Sequence, residues 1–168
     1  MIARSALETS LLVLAACGGL ACTRIASPAD GPPATSAAAP SPAAACLRTA
    51  DAQRTPAPGE PDRIGLKHVL VKYAGSRGAP ATITRSREDA CLLALEARDK
   101  LRGGADFGEI VTTYSDETGA STRGGSLGRM ERKELVAPFA DAAFELESRQ
   151  LSDVVETPFG FHVILRTE

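Results

Sequence analysis

The sequence predicts an α+β fold with an antiparallel sheet, confined to residues 62–168. Two short apolar runs, LKHVLV at residues 66–71 and FHVIL at residues 161–165, are typical of β-strands. Between them, apolar residues recur at helical spacing in segments bounded by glycine or proline. The resulting element order, β-α-α-(short α)-β-α-β-β, indicates helices packed against an antiparallel sheet.

The first strand is predicted at residues 64–73, where the mixed pattern suits a central position in the sheet. Two glycines and a proline place a loop at residues 74–81. Lys72, Arg77 and Arg85 lie in or beside this loop and form a modest basic patch. The alternative is an ordinary solvated loop without a ligand.

Three segments carry the helical pattern. Ser86, with an acidic residue three positions later, begins the first helix in the manner of a capping box, and Gly103 marks its end. Asp106 begins the second helix, again with an acidic residue three positions later. The third is a short helix at residues 136–146 with a proline in its first turn.

A glycine-rich segment, RGGSLG at residues 123–128, lies between the second and third of these helices. A phosphate-binding loop would continue into Gly-Lys-Ser/Thr and begin a helix, and this segment does neither. We therefore interpret it as a tight turn with positive φ angles that leads into a short edge strand.

The chain combines two different compositions. All aromatic residues and both histidines lie at or after residue 68, whereas eight of the eleven prolines lie before residue 62. Residues 17–61 are rich in alanine and proline and contain no aromatic residue, so we expect a disordered tether that buries too little apolar surface to fold. The net charge of −2 argues against a nucleic-acid partner bound through bulk charge.

The N-terminal residues 1–16 have the pattern of an export signal. Their apolar run at residues 11–16 is too short to span a bilayer. The motif LAAC at residues 14–17 is similar to a bacterial lipobox, which implies that Cys17 is lipidated and becomes the first mature residue. We then expect a lipid-anchored protein of the cell envelope, on the outer membrane facing the periplasm. A plain secretory signal and a buried helix start are the alternatives.

The four cysteines are Cys17, Cys22, Cys46 and Cys91. They form no CxxC pair and have no metal-ligand spacing, so no metal site is predicted. If Cys17 is lipidated, three cysteines remain, and a Cys22–Cys46 disulfide within the tether is one option. Cys91 falls on the first predicted helix and is interpreted as a small packing residue.

The two histidines, His68 and His162, each lie inside a predicted apolar strand. If these strands pair side by side, both imidazoles come together within the sheet. The alternative is two unrelated core histidines, each satisfied by its own hydrogen bond.

Over residues 62–168 the motifs resemble those of the parvulin (PpiC, or rotamase) family of peptidyl-prolyl cis-trans isomerases. The resemblance rests on several separated motifs in order: KHVLV at 67–71, DF at 106–107, YS at 114–115, RGG at 123–125, LG at 127–128, PF at 138–139, AF at 143–144 and TPFGFH at 157–162. It implies a four-stranded antiparallel sheet surrounded by about four helices.

The chemistry that the resemblance implies needs no cofactor. Rotation about an Xaa-Pro bond is opposed by amide resonance, with a barrier of roughly 18–20 kcal/mol. No bond breaks, so the site needs only an apolar socket for the proline ring and a polar environment that favours the twisted amide.

The resemblance assigns roles to eight residues. His68 and His162 match the family's paired histidines, and Thr157 matches a hydroxyl beside them. Glu117 stands where other members have Cys or Asp, so its reach differs. The substrate socket would be formed by Leu127, Leu135, Phe139 and Phe159, with Leu135 at a position where the family usually has Met.

The loop after the first strand resembles that of the phosphoserine-proline-directed branch of the family. Lys72 and Arg77 match two of its three anion-binding residues, whereas Gly78 occupies the second arginine position, which weakens bidentate capture. The family resemblance implies a peptidyl-prolyl cis-trans isomerase (EC 5.2.1.8) that acts on proline-containing unfolded or flexible polypeptides. The export signal leads us to expect this activity outside the cytoplasm, and we expect a monomer. The alternative is a non-catalytic chaperone that binds unfolded segments.

Overall fold

The computed structural model describes residues 39–56 and 58–168. The predicted signal segment, Cys17 and Cys22 lie outside these residues. The helices are α1 (Pro42–Ala50), α2 (Arg87–Arg102), α3 (Phe107–Tyr114) and α4 (Ala137–Glu145), and the strands are β1 (Arg63–Val71), β2 (Ser126–Glu131), β3 (Val155–Thr157) and β4 (Gly160–Arg166). Among the described residues, none of the helices is both long and apolar enough to cross a membrane.

The four strands form one antiparallel sheet in the order β2-β1-β4-β3, which confirms the predicted fold class. Strands β1 and β4 are central and are buried on both faces, which explains why their sequences are apolar almost without interruption. Val69 pairs with Val163 at the centre of this ladder, and His68 pairs with Ile164.

The two faces of the sheet carry separate cores. On one face, Val69, Val71, Phe161 and Val163 pack against helices α1, α2 and α3. On the other face, Ile64, Leu66 and Ile164 pack against α4 and its neighbours. Because side chains alternate between the faces of a strand, His68 and His162 both fall on the α4 face.

The predicted helix starts are confirmed by their caps. The Ser86 hydroxyl accepts a hydrogen bond from the Asp89 backbone N–H at 3.0 Å. The Asp106 carboxylate accepts one from the Glu109 N–H, also at 3.0 Å. Each side chain thereby satisfies an otherwise unpaired donor of the first turn.

Helix α1 corrects the prediction of a wholly disordered tether over residues 17–61. Ser41 caps this helix and Pro42 occupies its first turn, and the alanines that follow are strong helix formers. A disulfide between Cys46 and Cys91 ties α1 to α2, and both cysteines are buried. The suggested Cys22–Cys46 pairing and the reading of Cys91 as a simple packing residue are therefore wrong.

The segment after α1 is also held on the domain. Asp51 forms an ion pair with Arg87 at 3.0 Å. Further along, Glu60 receives two hydrogen bonds from the Arg132 guanidinium, at 2.6 and 2.8 Å. The folded unit thus begins well before residue 62, because a disulfide and ion pairs supply attachments that its composition did not suggest.

Candidate active site

The centre of the α4 face holds a chain of four polar side chains. The Nδ1 atoms of His68 and His162 lie 3.2 Å apart. His68 Nε2 contacts Glu117 Oε2 at 2.9 Å, and His162 Nε2 contacts Thr157 Oγ1 at 2.7 Å. The structure therefore brings together all four residues predicted as the polar part of the site, and the histidines are one connected pair.

Sheet register explains why the histidines meet. His68 is directly opposite Ile164, and His162 is opposite Leu70, so the two imidazoles are diagonal neighbours on one face. Their rings are nearly parallel, with centroids 5.4 Å apart and an interplanar angle of 15°. A register shift by one residue would move one ring to the opposite core.

The surroundings keep His162 neutral. The residue is 4% exposed, and burial together with the neighbouring His68 lowers the pKa of His162 well below its ordinary value. A neutral imidazole has one donor and one acceptor nitrogen, and both nitrogens of His162 have a partner. Proton positions along this row of four hydrogen-bonded side chains are therefore coupled, since the tautomer of one imidazole decides which nitrogen of the other donates and which accepts.

Glu117 is brought to His68 by the segment that follows α3. The Asp116 N–H donates to the Leu70 carbonyl at 2.7 Å, and the Lys72 N–H donates to the Asp116 carboxylate at 2.8 Å. These bonds hold the segment along β1 as far as Glu117. The hydrogen bond to His68 is the main cause that lowers the pKa of Glu117; electrostatic interactions with His68 and then with Arg123 add to it, and burial opposes them.

Phe139 covers both imidazoles from α4. Its ring stands edge-on to His68 at 5.7 Å and to His162 at 5.1 Å, with interplanar angles of 79° and 87°. Leu127 and Leu135 belong to the same apolar cluster and are only partly buried. An apolar cluster that contains Phe139 therefore packs against the histidine pair, and Leu127 and Leu135 are two of its partly exposed members.

A tight turn between β3 and β4 places Phe159 beside this site. The Thr157 hydroxyl accepts a hydrogen bond from the Phe159 N–H at 3.1 Å, so one hydroxyl serves both the turn and His162. Gly160 has a φ of 136°, and a Cβ there would collide with the Val71 carbonyl oxygen. Only glycine allows β4 to begin this close to β1.

The glycine-rich turn supports the site from the other side. The backbone N–H of His68 donates to the Gly125 carbonyl at 2.9 Å. Gly125 has a φ of 73°, and a Cβ there would collide with the carbonyl oxygen of His68. The predicted positive φ angles are thus confirmed, and their purpose is a close backbone approach to the strand that carries His68.

The PPIC-type PPIase (rotamase) domain family matches residues 68–168. The chain belongs to this family, the parvulin-type peptidyl-prolyl isomerases. The protein dodo of Drosophila melanogaster is 43% identical over 111 residues, which are 63% of this chain and 66% of that protein. A peptidyl-prolyl cis-trans isomerase pin1 of Rhizopus delemar is 39% identical over 114 residues, 65% of this chain and 75% of its own.

Solved parvulin structures have the same fold. Peptidyl-prolyl isomerase ESS1 from Candida albicans superposes with a TM-score of 0.59 at 29% identity, over 64% of this chain and 63% of that one. The chain therefore spans about two thirds of the length of such relatives. Helix α1 precedes the family match, so the Cys46–Cys91 linkage joins the parvulin domain to a segment outside it.

The two predicted anion-binding residues are both engaged within the parvulin domain. Lys72 Nζ donates to the Gly78 carbonyl at 2.7 Å. The Arg77 guanidinium lies over the Phe159 ring, 5.6 Å from its centroid, and its backbone N–H donates to the Pro158 carbonyl at 2.7 Å. Arg77 is thus next to Phe159, one of the residues predicted to bind substrate, whereas the Lys72 ammonium is directed to the backbone of its own loop.

Sequence reasoning missed one member of this site. Arg123 Nη2 lies 2.5 Å from Glu117 Oε2, the same oxygen that contacts His68. An acidic and a basic residue six positions apart, separated by glycine, alanine and small polar residues, were the available signal. Among the described residues, no group of three or more His, Cys, Asp and Glu side chains could hold a metal ion.

Proposed function

We propose that this parvulin domain accelerates rotation about Xaa-Pro bonds in proline-containing polypeptides outside the cytoplasm. The observation that carries the proposal is the position of Phe139, whose ring lies against a buried, fully hydrogen-bonded histidine pair. An apolar surface that meets a fixed polar group is what a site for a proline ring and its preceding amide requires.

The physical reason for catalysis lies in the polarity of the amide. Resonance makes the planar amide more dipolar than the twisted one, so water stabilises the planar form more strongly. Transfer of the bond into a site lined by Phe139, Leu127 and Leu135 removes that water and lowers the barrier to rotation. We assign these three side chains, together with Phe159, to binding of the substrate.

The polar chain supplies a fixed electrostatic environment. His68, His162 and Thr157 are each 4% exposed, and Glu117 is the last, more exposed member of this hydrogen-bonded series. Rotation transfers no proton, so these groups act through orientation and charge. Glu117→Gln keeps the shape of the side chain and removes its charge, so a loss of several-fold in activity at unchanged stability would support this role.

Export is supported by the disulfide. Cys46 and Cys91 are both buried and joined, and such structural disulfides persist in oxidising compartments. Together with the lipobox-like LAAC motif, this favours a cell-envelope protein anchored through a lipid on Cys17. Mass spectrometry of the mature N-terminus tests the anchor, because an unmodified Cys17 or cleavage at another residue would contradict it.

We expect little discrimination in favour of phosphorylated residues before proline. Lys72 is engaged with the Gly78 carbonyl, and Gly78 provides no guanidinium, so Arg77 is left as the cation beside Phe159. A peptide pair that differs only in phosphorylation of the residue before proline would test this, with similar kcat/KM values expected.

The decisive experiment measures isomerisation by the full chain on a proline peptide, by NMR exchange spectroscopy, beside Phe139→Ala. We expect clear acceleration by the wild type and a rate near background for Phe139→Ala, at a temperature where both are folded. If the wild type binds unfolded polypeptide without accelerating exchange, the protein is a non-catalytic chaperone and the proposal fails.

A further inference from the structure

Arg123 contacts the outer end of the polar chain. Its Nη2 atom shares Glu117 Oε2 with His68 Nε2, at 2.5 and 2.9 Å. The Arg123 side chain is 40% exposed, that of Glu117 27% and that of His68 6%. The three groups therefore lead from solvent to the buried histidine pair in order of increasing burial.

We propose that Arg123 is a positioning residue of the active site, which holds the Glu117 carboxylate on His68 and balances its charge. The inference rests on the proposed function, and it concerns how this chain uses a glutamate at that position. A glutamate has one more rotatable bond than an aspartate, so its carboxylate loses more conformational freedom when it is fixed. A charge-assisted bond from a guanidinium offsets that loss.

The local backbone is built to direct Arg123 inward. The 3-10 helix Ser121–Arg123 ends at Gly124, which is left-handed with φ 55° and ψ 37°. Gly125 then donates its N–H to the Ala120 carbonyl at 2.9 Å, which closes the turn. Because the Gly125 carbonyl accepts from the backbone of His68, one turn fixes both the strand and the guanidinium that reaches its histidine.

The backbone between Glu117 and Arg123 folds back on itself, which allows this contact. A Cβ added at Gly119 would lie at an ordinary contact distance, 3.6 Å from Arg123 Nη1, so space alone does not require glycine there. Gly119 has a φ of 74°, which lets the chain fold back between Glu117 and Arg123. The turn thus brings the guanidinium of Arg123 to a carboxylate oxygen of Glu117, six residues earlier in the sequence.

The charges around Glu117 explain why a partner is needed. The Glu117 carboxylate is partly buried, and the adjacent Asp116 is itself paired with Arg85. Arg123 makes the outer end of the site neutral overall. Two charged or titratable groups contact Glu117, namely His68 and Arg123, and His162 contacts His68 in turn. Asp116, the preceding residue, is paired with Arg85 instead.

An ordinary surface ion pair is the competing explanation, and stability alone does not separate the two. Exposed pairs contribute little to folding, so Arg123→Gln would change the melting temperature only slightly in either case. The useful measurements are activity, its pH dependence and the ionisation of Glu117. Removal of Arg123 takes away one of the causes that lower the pKa of Glu117, so that pKa should rise.

The test compares Arg123→Gln with Arg123→Lys and with Arg102→Gln as the matched control. Arg102, at the end of α2, is similarly exposed and forms an ion pair with Asp153 at 2.9 Å. Neither residue belongs to the candidate active site. For Arg123→Gln we expect kcat to fall by about tenfold with KM nearly unchanged, as for the loss of one charge-assisted bond. The acid limb of the pH–rate profile should move to higher pH.

The conservative and control variants sharpen the outcome. Arg123→Lys should recover most of kcat because it restores the charge, and Arg102→Gln should match the wild type. In a Glu117→Gln background, Arg123→Gln should cost nothing further, since its effect passes through the carboxylate. An equal cost in both backgrounds, or an unchanged profile for Arg123→Gln, would overturn the proposal.

Failure of the proposed function would be visible separately. If the wild type shows no isomerase activity, the catalytic proposal fails, but a carbon-13 NMR titration of the Glu117 carboxyl still tests Arg123. A rise in the Glu117 pKa in Arg123→Gln, and none in Arg102→Gln, supports the positioning role. No difference between the two variants refutes it.

Discussion

The two faces of the central strands use alternate residues of the same segments for different purposes. The face under α2 is apolar and is reinforced by the Cys46–Cys91 disulfide. The face under α4 buries two histidines whose hydrogen bonds run from Thr157 to Glu117. Both faces bury an apolar core, and the α4 face also buries this polar pair, whose burial costs stability and is offset by complete hydrogen bonding.

The largest difference between the faces should appear in activity when one buried phenylalanine on each face is replaced by leucine. Phe139 on the α4 face and Phe161 on the α2 face are 3% and 0% exposed. We expect Phe139→Leu and Phe161→Leu each to lose about 1–2 kcal/mol of unfolding free energy. Only Phe139→Leu should lower kcat/KM, by about tenfold or more, in peptide assays well below both melting temperatures. Equal losses of activity would show that the faces are not separable.

The second prediction concerns the disulfide on the α2 face. It closes a loop with a sequence separation of 45, for which chain-entropy arguments give a contribution of about 4 kcal/mol. A Cys46→Ser/Cys91→Ser double variant should therefore unfold at much lower denaturant concentration. Its kcat/KM should stay close to wild type while it remains folded, because the histidine pair lies on the other face. A large loss of activity in the folded variant would contradict this.

The third prediction concerns the pH dependence of stability, to which the buried His162 on the α4 face should contribute. The pKa of His162 is lowered in the folded state, so the unfolded chain binds more protons below about pH 6.5. Stability should therefore decrease as pH falls below that value, by up to about 1.4 kcal/mol per pH unit. Urea unfolding between pH 7 and 5 measures the slope.

A His162→Asn variant provides the comparison for that slope. Without the buried imidazole, this part of the pH dependence should disappear, although the variant is less stable at neutral pH. The Cys46→Ser/Cys91→Ser variant should keep the wild-type slope, since it leaves the α4 face unchanged. An equal slope in wild type and His162→Asn would show that other groups are responsible.

The smallest expected effect is that of a helix cap on the α2 face. Ser86→Ala removes the acceptor for the Asp89 N–H and should cost about 1 kcal/mol, with no change in kcat/KM. Ser86→Asp, which keeps an acceptor, should recover most of the loss. Thermal unfolding measures both, and a decrease in activity would mean that the start of α2 affects the opposite face.

The sequence alone determined the elements whose signals are local. Strand runs, the caps at Ser86 and Asp106, and the glycine turn at Gly124 and Gly125 depend on neighbours within a few residues, and the structure confirms them. The family motifs added the prediction of the overall fold and of which residues form the candidate site. The helix at Pro42–Ala50 was missed because composition was averaged over a long segment that includes it.

Only the tertiary structure decided which distant residues meet. His68 and His162 are 94 positions apart, and their contact depends on strand register and on the face that each occupies. The Cys46–Cys91 linkage and the convergence of Arg123 and His68 on one Glu117 oxygen likewise require loops to close in one particular way. Sequence spacing carries little information about such closures, because their entropy varies only slowly with loop length and many pairings compete.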